Sequence, residues 1–172
     1  VCLLFQYAGM SFVDFAHLKE RNIKNGILDY NRQKTGTPMR LEILDTAELM
    51  RKELMGDKKP ASGYLFPFLS GTKTGYEAYL EYNAALSRFN RNLKALKKAA
   101  GIASDVTSYT IRHSFAMALK EQNVPIEMIS ELLGHKSIKT TQIYLRSFSL
   151  EKMTEVNSTC FGCVYNYVSK VG

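Results

Sequence analysis

Between residues 74 and 100 the side chains Leu86, Phe89, Leu93 and Leu96 recur at three- and four-residue steps. An α-helix turns that period into one continuous apolar stripe, so a long helix with a buried face is expected here. The opposite side carries Arg88, Arg91, Lys94, Lys97 and Lys98, with no acid in the segment after Glu81. A merely solvated face usually intersperses both signs, whereas one-sided charge suits contact with phosphates. Arg88, Arg91, Lys94 and Lys98 are therefore candidate nucleic-acid contacts.

The rest of the pattern is mostly helical, with a strand-rich stretch near the beginning. Residues 1–10 read as an amphipathic helix met part-way through; Gly9 breaks it, and Ser11 is placed to cap a second helix over 12–19 with Asp14 in its first turn. Residues 26–44 alternate polar and apolar around Lys34-Thr35-Gly36-Thr37. That is the turn chemistry of a β-hairpin, and it sets Lys34 at the hairpin end. Asp45 is expected to cap a helix reaching Met55, a loop follows over 56–60, and 64–69 reads as a short strand or a buried extended run. Helices are expected over 108–122, 125–133 and 137–146, with Pro125 in a first turn and Gly134 separating the last two. One more helix and a tyrosine-containing tail fill 149–172. The fold class is thus mainly α with a small antiparallel β-sheet (α+β), in a single domain over 1–172, a length that buries a core without disulfide help.

Lysine and arginine number 23 against 16 acidic residues, a formal charge of +7 that favours polyanionic partners. Three cysteines, Cys2, Cys160 and Cys163, are an odd count that does not suit a stapled secreted domain, so a reducing, cytoplasmic setting is expected. The Cys160–Cys163 spacing lacks a second Cys or His pair to complete a zinc site, and its plainer reading is two tail thiols. No apolar run approaches the roughly 20 residues of a membrane helix. Residues 1–10 lack a basic leader with a cleavage site, and the chain reads as a fragment with an upstream portion missing.

The chemistry concentrates after residue 108. In Tyr109-Thr-Ile-Arg112-His113-Ser-Phe-Ala, helical spacing sends Ile111, Phe115 and Ala118 to the core and gathers Tyr109, Arg112 and His113 on another face. Some twenty residues on, Leu132-Leu133-Gly134-His135 puts a histidine just past a glycine-ended helix, and Tyr144 follows Thr140-Thr141-Gln142-Ile143.

The run Leu-Leu-Gly-His-Lys-Ser-Ile-Lys-Thr-Thr-Gln-Ile-Tyr at 132–144 resembles the signature of the tyrosine recombinase, or phage integrase, family, particularly integrases of conjugative or mobile elements. The resemblance extends to Arg112-His-Ser-Phe-Ala116, to Lys34 in the hairpin, and to the opening block Gly9-Met-Ser-Phe-Val-Asp14, and so spans nearly the whole chain. It implies a tyrosine recombinase catalytic domain with Tyr144 as nucleophile and Arg112, His135, Lys34 and Tyr109 as its catalytic partners. It further implies double-stranded DNA attachment sites as substrate, a homotetramer assembled on DNA from a chain that is monomeric alone, nucleoid association, and a tail over 149–172 that docks on a neighbour. An upstream core-binding domain would complete a clamp around DNA. Two positions depart from the family pattern. Ser11 stands where the first active-site arginine is usual, and Tyr109 where a histidine is frequent. A serine lacks the cationic fork that matches two phosphate oxygens, so Arg32 and Arg40, flanking Lys34, are candidates to fill its place.

The residue types suit the implied reaction on physical grounds. A phosphodiester repels nucleophiles and its transition state gains charge, so fixed donors and cations such as Arg112, His135 and Tyr109 are needed around it. A phenol titrates near ~10, so attack at neutral pH needs a group to take its proton, for which His135 or His113 is available. Lys34 is suited to protonate the departing 5′ oxygen. No Asp/Glu cluster near these positions argues for Mg²⁺, and neither metal nor other cofactor is expected. Two alternatives stay open: a catalytically weakened DNA-binding homologue, motivated by Ser11, and a type IB topoisomerase-like enzyme, which shares the chemistry.

Overall fold

The computed structural model describes residues 1–56, 63–145, 153, 154 and 158; most of the 149–172 tail, including Cys160 and Cys163, and most of the 56–60 loop lie outside them. Seven helices are seen in that portion: α1 (Cys2–Gln6), α2 (Phe12–His17), α3 (Asp45–Met55), α4 (Gly75–Ala99), α5 (Ser108–Glu121), α6 (Ile126–Leu132) and α7 (Ile138–Tyr144). Between α2 and α3 lies an antiparallel three-stranded meander, β1 (Ile23–Lys24), β2 (Ile27–Asn31) and β3 (Pro38–Glu42). The mainly helical α+β class expected from the sequence is the class observed.

The hairpin is in place, with Leu28 opposite Leu41 and Tyr30 opposite Met39. Alternation sends Leu28, Tyr30 and Met39 into the core and leaves Asp29 and Arg40 outside. Strand β1 was not anticipated. Its signal was the Asn25-Gly26 dipeptide, where both residues adopt left-handed φ, 52° and 74°, as a tight two-residue hairpin turn requires.

Residues 64–69 form no strand. Only Tyr64 pairs, in an isolated bridge with Lys19, while Leu65, Phe66 and Leu69 turn inward to pack. Phe66 is fully buried and stacks on Phe15 with ring centroids 4.1 Å apart. The α4 stripe is shorter than its spacing implied: Leu93 is buried and Leu86 and Phe89 partly so, but Leu96 lies beyond the packed region and is 57% exposed. On α5 it is Ala116, not Ala118, that is fully buried.

Helix α5 packs against α1, α4, α6 and α7, so it joins the sheet-side core to the small cluster of Ala116, Ile129 and Leu133. At the end of α6 the chain reverses through Gly134, with φ 61°. The Gly134 amide donates to the Glu131 carbonyl and the His135 amide to that of Ser130. A side chain at 134 would be strained by that φ and would collide with the Met39 sulfur and with Arg32 Cδ, 2.7 Å from an ideal Cβ. Gly134→Ala is therefore expected to destabilise the fold by about 1–3 kcal/mol, measured by urea denaturation.

Candidate active site

A cavity of about 410 Å³ opens between the start of α2, the β2–β3 turn and helices α5 and α7, lined by Ser11, Arg32, Lys34, Tyr109, Arg112, His135, Lys136, Thr140 and Tyr144 among others. All five residues expected to carry the chemistry are brought together there from four separate stretches of chain.

Arg112 is buried at 4% exposure. Its Nη1 donates to the Gly9 carbonyl at 2.9 Å, its Nη2 donates to the Leu133 carbonyl, and its Nε is buried with no hydrogen-bond partner among the described residues. Burial, and then the neighbouring charge of Arg32, lower the pKa of its guanidinium from the usual value.

Arg112 Nη2 also lies 3.4 Å from His135 Nε2. A guanidinium only donates, so Nε2 is the acceptor and the ring proton resides on Nδ1, which faces Thr141 Oγ1 at 2.9 Å. Thr141 is fully buried and holds that tautomer in place. Burial first, then the charges of Arg112 and Arg32, push His135 down to about 4. The imidazole is thus neutral at pH 7, the state in which it can take a proton.

The Tyr144 ring is half-buried and lies 5.1 Å from the His135 ring and 5.3 Å from that of Tyr109, centroid to centroid. His113 is farther, at 6.1 Å. Tyr109 is pushed up to about 12, by burial first and then by its hydrogen-bonding contact with Tyr144. Lys34 is exposed at the tip of the turn, where the Arg32 amide donates to the Thr37 carbonyl and the Gly36 amide to that of Arg32.

The two candidates for the place left by Ser11 part company. Arg32 lines the cavity and is 8% exposed, whereas Arg40 is exposed in a different cleft of about 600 Å³, between β3 and α6, beside Met128 and Glu131. Arg88, Arg91, Lys94 and Lys98 are exposed on α4 and line no part of the cavity. Lys97 is not unpaired, since Asp105 binds it at 3.1 Å. His17 Nδ1 donates to the Val13 carbonyl, 2.7 Å away within its own helix, in keeping with a structural role.

Asp14 was read as a favourable first-turn charge and as the end of the Gly9–Asp14 block, and in the structure it joins α2 to the hairpin. At 2% exposure its carboxylate accepts from Ser11 Oγ at 2.5 Å, from the Gln33 amide at 2.7 Å and from Arg32 Nε at 3.4 Å. No spacing rule finds such a contact, because its partners lie 18 and 19 residues away. Among the described residues no group of three or more His, Cys, Asp or Glu stands together as a metal site would, and no helix is long and apolar enough to cross a membrane.

Several known proteins are similar to this chain. The tyrosine recombinase XerD of Lacticaseibacillus casei is 52% identical over 54 residues, 31% of this chain and 18% of that protein. Tyrosine recombinase XerC of Rickettsia typhi is 41% identical over 75 residues, 44% of this chain and 24% of that protein. The crystal structure of XerA recombinase superposes with a TM-score of 0.66 at 23% identity, covering 91% of this chain and 54% of that one. The Tn1549 transposon integrase, in complex with a circular intermediate DNA, does so with a TM-score of 0.64 at 16% identity, over 90% and 56% of the two chains. The chain therefore matches about a quarter or less of the curated relatives' length and a little over half of the solved chains. A model of the phage integrase family matches residues 1–151, a span that takes in every residue of the cavity, and the chain belongs to that family.

Proposed function

We propose that this chain is the catalytic portion of a site-specific DNA recombinase or integrase that cleaves and rejoins strands through a 3′-phosphotyrosine on Tyr144. The observation that carries the reading is the convergence of one half-buried phenol, one buried guanidinium and one neutral imidazole on a single cavity.

In this reaction Arg112 binds a non-bridging oxygen of the scissile phosphate and stabilises the charge that develops there. The Tyr144 oxygen attacks phosphorus, its proton passing to the neutral His135, whose Nε2 is the free acceptor once Arg112 turns to the phosphate. The bond from phosphorus to the 5′ oxygen breaks, and Lys34 gives that oxygen a proton. Phosphodiester energy is kept in the phosphotyrosine, so the incoming 5′ hydroxyl of a partner strand reverses the steps and reseals the DNA without ATP. Tyr109 adds a hydroxyl donor at the edge of the cavity. The exposed cations Arg88, Arg91, Lys94 and Lys98 on α4, and Arg40 on β3, bind flanking phosphates and set affinity rather than chemistry. A tetramer on paired sites follows from the need to exchange strands between two duplexes. The solved relative XerH, described as bound to palindromic difH substrate in a post-cleavage complex, supports DNA as the substrate class.

Incubated with a nicked duplex bearing its site, the protein is expected to form a covalent adduct visible on a denaturing gel and absent from Tyr144→Phe; mapping the attached strand from cells identifies that site. Failure of the folded wild type to form any adduct would overturn the reading. Lys34→Ala should slow adduct formation by roughly 100-fold or more. That loss should largely vanish on a substrate whose 5′-bridging oxygen is replaced by sulfur, a leaving group that needs no proton.

A pH effect follows from His135. Its folded value, about 4, lies below the ordinary 6.5, so the unfolded chain binds its proton more readily. The stability that the neutral ring contributes is complete above about 6.5 and is lost as pH falls towards 4. Tm measured across that window should fall more steeply for wild type than for His135→Gln.

A further inference from the structure

Two arginines reach the same backbone oxygen from different ends of the chain. Arg112 Nη2 and Arg32 Nη1 both donate to the Leu133 carbonyl, the latter at 3.0 Å, and Arg32 Nη1 also reaches the Gly134 carbonyl at 2.9 Å. Arg32 Nε turns to Asp14. Its remaining nitrogen, Nη2, has no hydrogen-bond partner among the described residues, and the side chain lines the cavity that holds Tyr144.

Both guanidinium groups are more than nine-tenths buried, at 8% and 4% exposure. Asp14 is the single carboxylate bonded to either of them among the described residues, so two buried positive charges face one negative charge. Burying like charges side by side is costly unless a counter-charge joins them. Ser11 lines the same cavity and has no charge to add to theirs.

We propose that Arg32 supplies the second guanidinium of the cleavage site, binding a non-bridging oxygen of the scissile phosphate opposite Arg112. It does from the end of β2 what Ser11, at the start of α2, has no charge to do. Asp14 is its positioning residue: one carboxylate oxygen orients Arg32 Nε and the other holds the Gln33 amide, so the arginine and the turn that carries Lys34 are set by the same group. Ser11 keeps a part in this arrangement by donating to that carboxylate. Arg40, in the other cleft, is excluded from the role by its position.

The inference rests on the recombinase reading, and the test separates the two. Adduct formation by wild type, Arg32→Gln and Arg32→Lys is measured on the mapped nicked site carrying either the natural phosphate or a methylphosphonate at the cleaved position, with circular dichroism and Tm reporting folding. Methylphosphonate removes the charge that a second cation would neutralise. On phosphate, Arg32→Gln should react roughly 100-fold or more slowly than wild type. On methylphosphonate the gap should shrink to a few-fold. Should Arg32→Gln not fold, Arg32→Lys, which keeps the stem and a cation but not the fork, is read by the same comparison. An equal defect on both substrates would show that Arg32 merely supports the fold, and no defect on phosphate would show that it does not touch it; either result overturns the assignment while leaving Tyr144 chemistry intact. Absence of an adduct from wild type on both substrates would overturn the recombinase reading, and this inference with it.

Discussion

The carbonyl of Leu133 organises this site. Helix α6 ends there, and the last carbonyls of a helix are left without intrahelical partners and carry partial negative charge. Gly134 turns the chain away in the left-handed conformation, which aims those oxygens at the cavity and lets Arg32 and Met39 pack close. Arg112 from α5 and Arg32 from β2 both use the oxygens so exposed. A backbone acceptor holds the guanidinium groups without neutralising them, leaving their charge for a substrate.

The same arrangement accounts for the state of His135. Placed one residue beyond Gly134, it meets the two guanidinium groups at short range and is partly buried, so its cationic form is disfavoured. Thr141 on α7 orients the ring, and Tyr144 lies three residues further along that helix, the spacing that sets both side chains on neighbouring faces. The nucleophile and its candidate base are thus delivered by one short helix and the turn before it. Under the proposed reaction, phosphate binding adds negative charge beside the two guanidinium groups, and proton transfer to His135 becomes easier as the substrate arrives.

Much of the fold was legible because its elements obey local rules. Ser11 caps α2 as expected, accepting from the Asp14 amide, and the β2–β3 hairpin was set by alternation and by its Thr-Gly-Thr turn. Helix α3 begins at Asp45, though Leu44 occupies the cap position. Misreadings came where tertiary packing overrode local pattern. The apolar run 64–69, read as a short strand or a buried extended run, is buried at Leu65, Phe66 and Leu69, but beyond the Tyr64 bridge it packs as a turn around Phe66. Leu96 has the right period for a core position, but among the described residues it stays exposed.

By itself the sequence picked out Tyr144, Arg112, His135, Lys34 and Tyr109 as the candidate chemistry-bearing side chains, each in a recognisable local motif, and all five line one cavity. It also determined that a serine stands at position 11. Only the tertiary structure placed Arg32 rather than Arg40 at the cavity, because the two lie on one hairpin and differ in which way the chain faces and in what packs against it. The link from Asp14 to Arg32 and Gln33, and the neutrality of His135, were likewise invisible beforehand. Each depends on charges and carbonyls brought together across as many as a hundred residues, and desolvation at such a meeting point is a property of the packed site rather than of any segment of chain.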